Sequence, residues 1–412
     1  MSSANLVEVI YLPETEYGVT PTPLSGVTAE TVRFTSESLS GTPTTTISAA
    51  IRTDRMSSGQ VVTGLEVSGD LNHELAASKF HDDFFEAGMM STWVPAESLS
   101  TDVTLTPNPA DDQEATLTIT GDFSTIGPGV VAGDILQLVP ATGPCVTVTV
   151  ISVDSTTECT VNTKAGEAAI SGVTQDVQIP AYLVIGTEQK SFTMSKAYLD
   201  VLHELTTDEH SQRYNGSLVG GFNVTASYGE IVTGVFSTMG NDYLQEEPSL
   251  SQQIETAGGT VNPAATSAPL NASVDVPIVT ADGVASTFCI ESFDITLDNG
   301  LDPTNCIGKI VAEGYTLGTA EIAVNATIYL SDSSYDSFMA QKLTQEPVSM
   351  TFTMANAEGG YAFKLEAVQL SFPDPSSEGQ NEQTMLNASG AAKVGANGES
   401  AIKISKLLGD QA

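Results

Sequence analysis

The sequence predicts a mainly β protein of two related halves, with a small β-domain inserted into the first. Three observations lead there. Apolar residues alternate with polar ones over short stretches, as Val146, Val148 and Val150 do in VTVTVIS and Ile322, Val324 and Ala326 do in AEIAVNA. A period of two, punctuated by Gly, Asn and Asp, is the pattern of half-buried strands. The chain also repeats itself. Residues 34–38 (FTSES) match 288–292 (FCIES) at a separation of 254, and 66–80 match 321–335 at 255, with Glu66, Val67, Leu75, Ser78 and Phe80 falling on Glu321, Ile322, Leu330, Ser333 and Tyr335. Finally, residues 191–194 (SFTM) match 351–354 (TFTM) at a separation of only 160. Matches in a common order argue for duplication. The fall from 255 to 160 places about 95 extra residues between Phe80 and Ser191, in a loop where insertions cost little.

The elements follow in chain order. Residues 1–30, rich in Pro, Thr and Gly, read as an extended N-terminal arm; one or both of this arm and the polar tail 374–400 are expected to order on contact with a neighbour. The first module covers 31–244 and carries a helix at about 76–90, with Phe80, Phe84 and Ala87 at i, i+4 and i+7 facing its own sheet. The inserted β-domain spans about 100–182, where a Gly-rich bend (IGPGVVAGD) separates the strand-like runs LQLV, VTVTVIS and CTVN. Residues 245–275, rich in Pro, Ala, Thr and Gln, read as an extended linker. A second module follows at 276–374, with a helix expected at about 332–343 that sets Tyr335, Phe338, Met339 and Leu343 on one face. Residues 375–412 read as a polar C-terminal extension with a final strand.

Length and charge bound the function. A chain of 412 residues suggests two to three domains, and 41% hydrophobic residues suffice for packed cores. No apolar run of about 18 residues and no basic-then-apolar start is visible, so neither a membrane span nor a secretory signal is expected. With 14 Lys and Arg against 51 Asp and Glu, the net charge is −37. That balance excludes a grip on nucleic acid through its phosphates, which takes clustered cations.

Searching for reactive chemistry yields little. Cys145, Cys159, Cys289 and Cys306 show no CxxC spacing and read as free thiols, although a Cys145–Cys159 link is conceivable. His203 and Glu204 precede His210 at a spacing unlike HExxH; His73 and His81 read as surface or satisfied polar residues. Residues 298–302 (DNGLD) could offer oxygen ligands to calcium, but Asn-Gly is first a tight-turn signal. No catalytic, cofactor-binding or metal-ligating residue is assigned, and no enzyme is expected.

The order of short motifs resembles a known family. Residues 11–18 (YLPETEYG) with Pro21, 33–35 (RFT), 51–55 (IRTDR), 67–69 (VSG), the helix ending near Trp93, 191–193 (SFT), 214–216 (YNG) and 228–234 (YGEIVTG) together resemble the tail tube, or major tail, proteins of bacteriophages with long non-contractile tails. The resemblance implies modules of β-sandwich or half-barrel type flanked by a helix, assembled into stacked rings through which genomic DNA leaves the capsid. Such rings are commonly hexamers. A duplicated subunit implies a homotrimer with pseudo-sixfold symmetry, with a homohexamer as the alternative. It also implies contacts with tape measure and tail terminator or tip proteins, a place in the virion tail, and assembly in the host bacterial cytoplasm. The competing class is a secreted or surface β-sandwich adhesin or carbohydrate-binding protein. A polysaccharide-degrading enzyme is disfavoured by the lone Trp93.

Overall fold

The computed structural model describes residues 3–411 apart from 52, 55, 57–58, 205–207, 277, 282–283, 286–288, 331–344 and 375–382. The helix expected at 332–343 lies outside the described residues. The first half opens with β1 (Val7–Pro13), β2 (Thr28–Thr31), β3 (Ser36–Glu37), β4 (Ser40–Ile47) and β5 (Gln60–Glu74), followed by helix α1 (Lys79–Gly88). The insertion contributes β6 (Glu97–Asn108), β7 (Asp111–Ile119), β8 (Ile135–Val139), β9 (Val146–Val153), β10 (Glu158–Asn162) and β11 (Ile170–Ile179). The half resumes with β12 (Tyr182–Val184), β13 (Ser191–Leu202), β14 (Glu209–Ser227), β15 (Thr233–Gly240) and β16 (Asp242–Glu246). Helix α2 (Leu250–Ala257) and β17 (Thr260–Asn262) lead to the second half. There lie β18 (Ile278–Ala281), β19 (Val284–Ala285), β20 (Ile290–Asp298), the small pair β21 (Asp302–Pro303) and β22 (Tyr315–Thr316), and β23 (Glu321–Tyr329). The chain closes with β24 (Val348–Asn356), β25 (Gly359–Ser371), β26 (Met385–Lys393) and β27 (Ile402–Leu408).

The protein is mainly β, and its strand pairings repeat. In the first half β13 pairs with β1 and β14, β14 with β15 and β16, β15 with β5, and β5 with β4. In the second half β24 pairs with β18 and β25, β25 with β26 and β27, β26 with β23, and β23 with β20. All are antiparallel. The long β14 serves two sets of partners because it is bulged between Val219 and Gly221, and a bulge bends a strand and raises its twist. One apolar core runs through both halves, joining Tyr11, Phe84, Phe222 and Phe236 to Ile295, Phe352, Phe363 and Ile404.

The insertion is a closed barrel in the order β10-β7-β6-β11-β8-β9. Its inward-facing residues alternate, as with Val148 and Val150 in β9, and build a separate core with Leu105, Leu117, Leu136 and Val161. Closure leaves no free strand edge.

Four expectations are corrected. The N-terminal stretch is no detached arm: β1 is a central strand between β13 and β2, and Val9, Ile10, Tyr11 and Leu12 are all buried. The stretch 245–275 is no extended linker. Ser249 caps α2 by accepting from Gln252 N at 3.4 Å, Leu250 and Ile254 bury on Ile10, Leu12 and Ala29, and Gly258 ends the helix at φ 85°, a left-handed turn suited to glycine. In the C-terminal stretch the expected final strand is present as β27, but β26 and β27 both pair with β25, so residues 385–408 belong to the sheet rather than to an extension. Lastly, His73 and His81 are 1% and 0% exposed, which removes the surface alternative; each Nδ1 has a polar partner, Leu71 O at 3.3 Å and Ser78 Oγ at 2.7 Å. Neighbouring aromatic rings surround both of them.

Candidate assembly interface

Helix α1 is where the two halves meet. Ser78, in extended conformation, caps it by accepting from His81 N at 3.4 Å. Spacing of 3.6 residues per turn then buries Phe80, Phe84 and Ala87 on one side, with His81 and Phe85 beside them. Two adjacent carboxylates of α1, Asp82 in its first turn and Asp83 after it, reach different parts of the sheet. Asp83 accepts from Tyr11 Oη in β1 at 2.8 Å, whereas Asp82 accepts from Tyr361 Oη in β25 at 2.9 Å and Lys406 Nζ in β27 at 2.6 Å. Burial raises the Asp82 carboxyl above its ordinary range, against the opposing pull of Lys406 and Tyr361. At the other end of α1, Asn299 Nδ2 donates to Gly88 O at 2.8 Å. One helix thus ties β1 to β25 and β27.

The sheet itself crosses between the halves. Residues 221–227 of β14 pair with 292–298 of β20, and β12 pairs with β27. Backbones approach closely at Gly221, where a Cβ would stand 2.3 Å from Leu297 O, so a side chain there would force the strands apart. Although inserted in the first half, the barrel is clamped to the second. Gln137 Nε2 donates to Leu408 O at 2.8 Å and its Oε1 accepts from Leu408 N at 3.0 Å, imitating a strand. Gly143 and Gln411 exchange two backbone bonds of 2.8 Å, and Ile135 packs on Ala362 and Leu407.

The residues with reactive potential are dispersed. His73 stacks on Phe236 at 4.5 Å, lies 4.7 Å from His81, and both rings leave Nε2 without a hydrogen-bond partner. His203 and His210 lie elsewhere, each within 3.5 Å of Glu247. The stretch 298–302 is a turn: Asp298 Oδ1 accepts from Gly300 N at 2.8 Å, and Gly300 has φ 54°. All four cysteines are free; burial in the barrel core pushes the Cys159 thiol up to about 12. Among the described residues, no three His, Cys, Asp or Glu side chains are grouped to hold a metal ion, and no helix is long and apolar enough to cross a membrane.

The buried histidines set a pH dependence. Burial drops His73 to about 4 and moves His81 well below its ordinary value, with His73 and Arg33 adding to the effect on His81. In the unfolded chain each titrates near 6.5. Below that pH the unfolded state takes up protons the folded state refuses, so stability falls as pH drops from about 6.5 toward about 4. The His73 depression alone is worth roughly 3 kcal/mol at its full extent. The urea midpoint is expected to be lower at pH 5 than at pH 7, and His73→Phe should shrink that difference; an equal difference in both proteins would contradict this assignment.

Two surface features remain. The hairpin of β4 and β5 exposes Ile47, Ile51, Met56, Val61 and Val62, and β5 meets the loop between β20 and β23, where Leu65 N donates to Ile310 O at 2.6 Å and Ile307 is exposed. Exposed apolar clusters of this kind mark partner surfaces. Conversely, cations are consumed internally. Arg33, Lys196, Arg213, Lys364 and Lys406 each sit within 3.0 Å of a carboxylate, leaving them poorly placed to bind phosphates.

Tyr361, Lys406 and Gln137 carry no signal in the sequence, and Asn299 shows there only as part of a turn. Their partners are distant in the chain, with Tyr361 and Asp82 separated by 279 residues, so no local spacing announces them. Compared with known proteins, residues 4–399 match the family described as phage tail tube protein. No curated protein matches the chain.

Proposed function

We propose, from the premise that the chain belongs to the phage tail tube protein family, that it self-assembles into stacked rings forming the conduit for genomic DNA. As a member of that family it is a structural component of the virion tail. The observation that carries the finer reading is the repeated pairing pattern: a chain with two copies of one module supplies twice what a single-module subunit supplies. Three chains then give six modules, a homotrimer with pseudo-sixfold symmetry, where six single-module chains would otherwise be needed. Shared sheet edges close on assembly, which removes the aggregation hazard of open strands.

Other features fit this role. The apolar turns around Ile51 and Ile307 are suited to contact the adjacent ring, and the barrel, clamped by Gln137, is suited to the tube exterior. The net charge of −37 keeps free subunits apart. Carboxylates facing the lumen repel phosphates over about 8 Å at physiological salt, so DNA passes without being held; a bore lined by Lys and Arg would contradict this. Tape measure and terminator or tip proteins are the expected partners along the tail, with assembly in the host bacterial cytoplasm. Negative-stain imaging of the purified protein tests the reading: rings or tubes are expected, and persistent monomers count against it.

A further inference from the structure

The repeat fixes correspondences between the halves residue by residue. Thr42 pairs with Glu66 in β5, and Asp298 with Glu321 in β23, so residues 36–42 correspond to 292–298, which corrects by two residues the match of 34–38 with 288–292 read from sequence. Likewise, Gly69 pairs with Thr238 and Thr238 with Val219, while Val324 pairs with Gly390 and Gly390 with Leu370. Continuing one step, Gly221 falls on Ser371 and Phe222 on Phe372, and both phenylalanines are buried.

Within the chain, residues 221–227 of β14 pair with 292–298 of β20. The same two surfaces occur once more, at the end of β25 from Ser371 and along the outer edge of residues 36–42. Among the described residues no strand lies on that outer edge. Instead, side chains hold the place of one: Leu39 N donates to Glu37 Oε2 at 2.9 Å, and Leu39 O accepts from Tyr214 Oη at 3.1 Å. Leu39 corresponds to Ile295, which pairs with Val224 in the junction. Lys196 Nζ fixes the Glu37 carboxylate at 2.8 Å. Side-chain cover of this sort is how native proteins blunt an open edge before it finds its partner.

We propose that the edge formed by residues 36–42 receives residues 371–374 of a second copy of this chain. Thr42 stands opposite Ser371 and Gly41 opposite Phe372, as Asp298 stands opposite Gly221 and Leu297 opposite Phe222 within one chain. The Glu37 and Tyr214 contacts to Leu39 are placeholders that the incoming backbone replaces. Each chain carries one surface of each kind, so the contact is head-to-tail and closes into a ring only if the rotation allows. The proposal rests on the tube reading and specifies its seam.

The test is disulfide trapping in full-length chains lacking the exposed thiols (Cys289→Ser, Cys306→Ser) and carrying Thr42→Cys with Ser371→Cys; both positions are exposed. After assembly and oxidation, a ladder of covalent species ending at three copies is expected, while either single variant runs as one chain. Ser40→Cys with Ser371→Cys, out of register, should trap at least tenfold less. A ladder reaching six copies supports the seam but overturns the three-copy count. Tubes that form without trapping, or trapping within a single chain, overturn the seam and leave the tube reading standing. Failure of the unsubstituted protein to form rings or tubes overturns both.

Discussion

Removing residues 1–20 is expected to abolish the folded subunit, rather than leave a folded monomer that cannot polymerise. The deletion takes out β1, whose Val9, Ile10, Tyr11 and Leu12 are each no more than 1% exposed. Burying side chains of this size contributes roughly 1.5–3 kcal/mol each, so together they approach the entire stability of a typical domain, about 5–15 kcal/mol. Two further losses follow. Tyr11 leaves the rings of Phe84 and Phe192, at 5.2 and 5.4 Å, and α2 loses the Ile10 and Leu12 surface it covers. Circular dichroism and urea denaturation should show no cooperative transition. Deletion of residues 1–5 spares β1 and should fold normally; a cooperative transition in the longer deletion would show that β1 is dispensable.

Phe236→Ala should be the most damaging single substitution in the core. Phe236 lies in β15, is fully buried, and packs on His73 at 4.5 Å, Phe84 at 5.2 Å and Phe85 at 5.3 Å, with Phe80 and Phe222 also in contact. Truncation of a buried phenylalanine to alanine costs about 3–5 kcal/mol, because the cavity adds to the lost transfer free energy. Phe236→Leu keeps most of the volume and should cost less than half as much. Comparable losses from both variants, measured by denaturant midpoints, would mean that the site does not depend on packing volume.

What the sequence made legible was whatever repeats locally. Period-two alternation announced β9 and β23, and the helical spacing of Phe80, Phe84 and Ala87 announced α1, with its ends only two or three residues out. Within the match of 66–80 with 321–335, residues 66–74 lie in β5 and their counterparts 321–329 in β23, strands in corresponding places. Polar composition misled in two places. Residues 1–30 look like an arm because Pro, Thr and Gly surround a seven-residue strand, VEVIYLP, whose apolar residues run nearly unbroken as buried strands do. The stretch 245–275 hides an eight-residue helix in which Leu250 and Ile254 are the whole apolar signal. For His73 and His81 polarity left a surface place open beside a satisfied polar one, because the aromatic rings that bury them come together only once β5, β15 and α1 meet. The contacts that join the two halves were the least legible part. Asp82 with Tyr361, Asn299 with Gly88, and Gln137 with Leu408 join residues hundreds of positions apart, and nothing in local spacing encodes such pairs.

The charge acquires a narrower meaning in this light. An acidic chain first excludes a grip on DNA; here the described cations are also largely engaged with carboxylates, as Lys196 is with Glu37 and Arg213 with Glu246. Enclosing DNA and binding it are separate demands, and these residues suit the first.

Electron cryomicroscopy of assembled tubes, counting full-length chains in each ring, tests the central claim most directly. Three chains per ring, with six similar β modules around the bore and the barrels on alternate modules, is the predicted result. Six full-length chains per ring would contradict it.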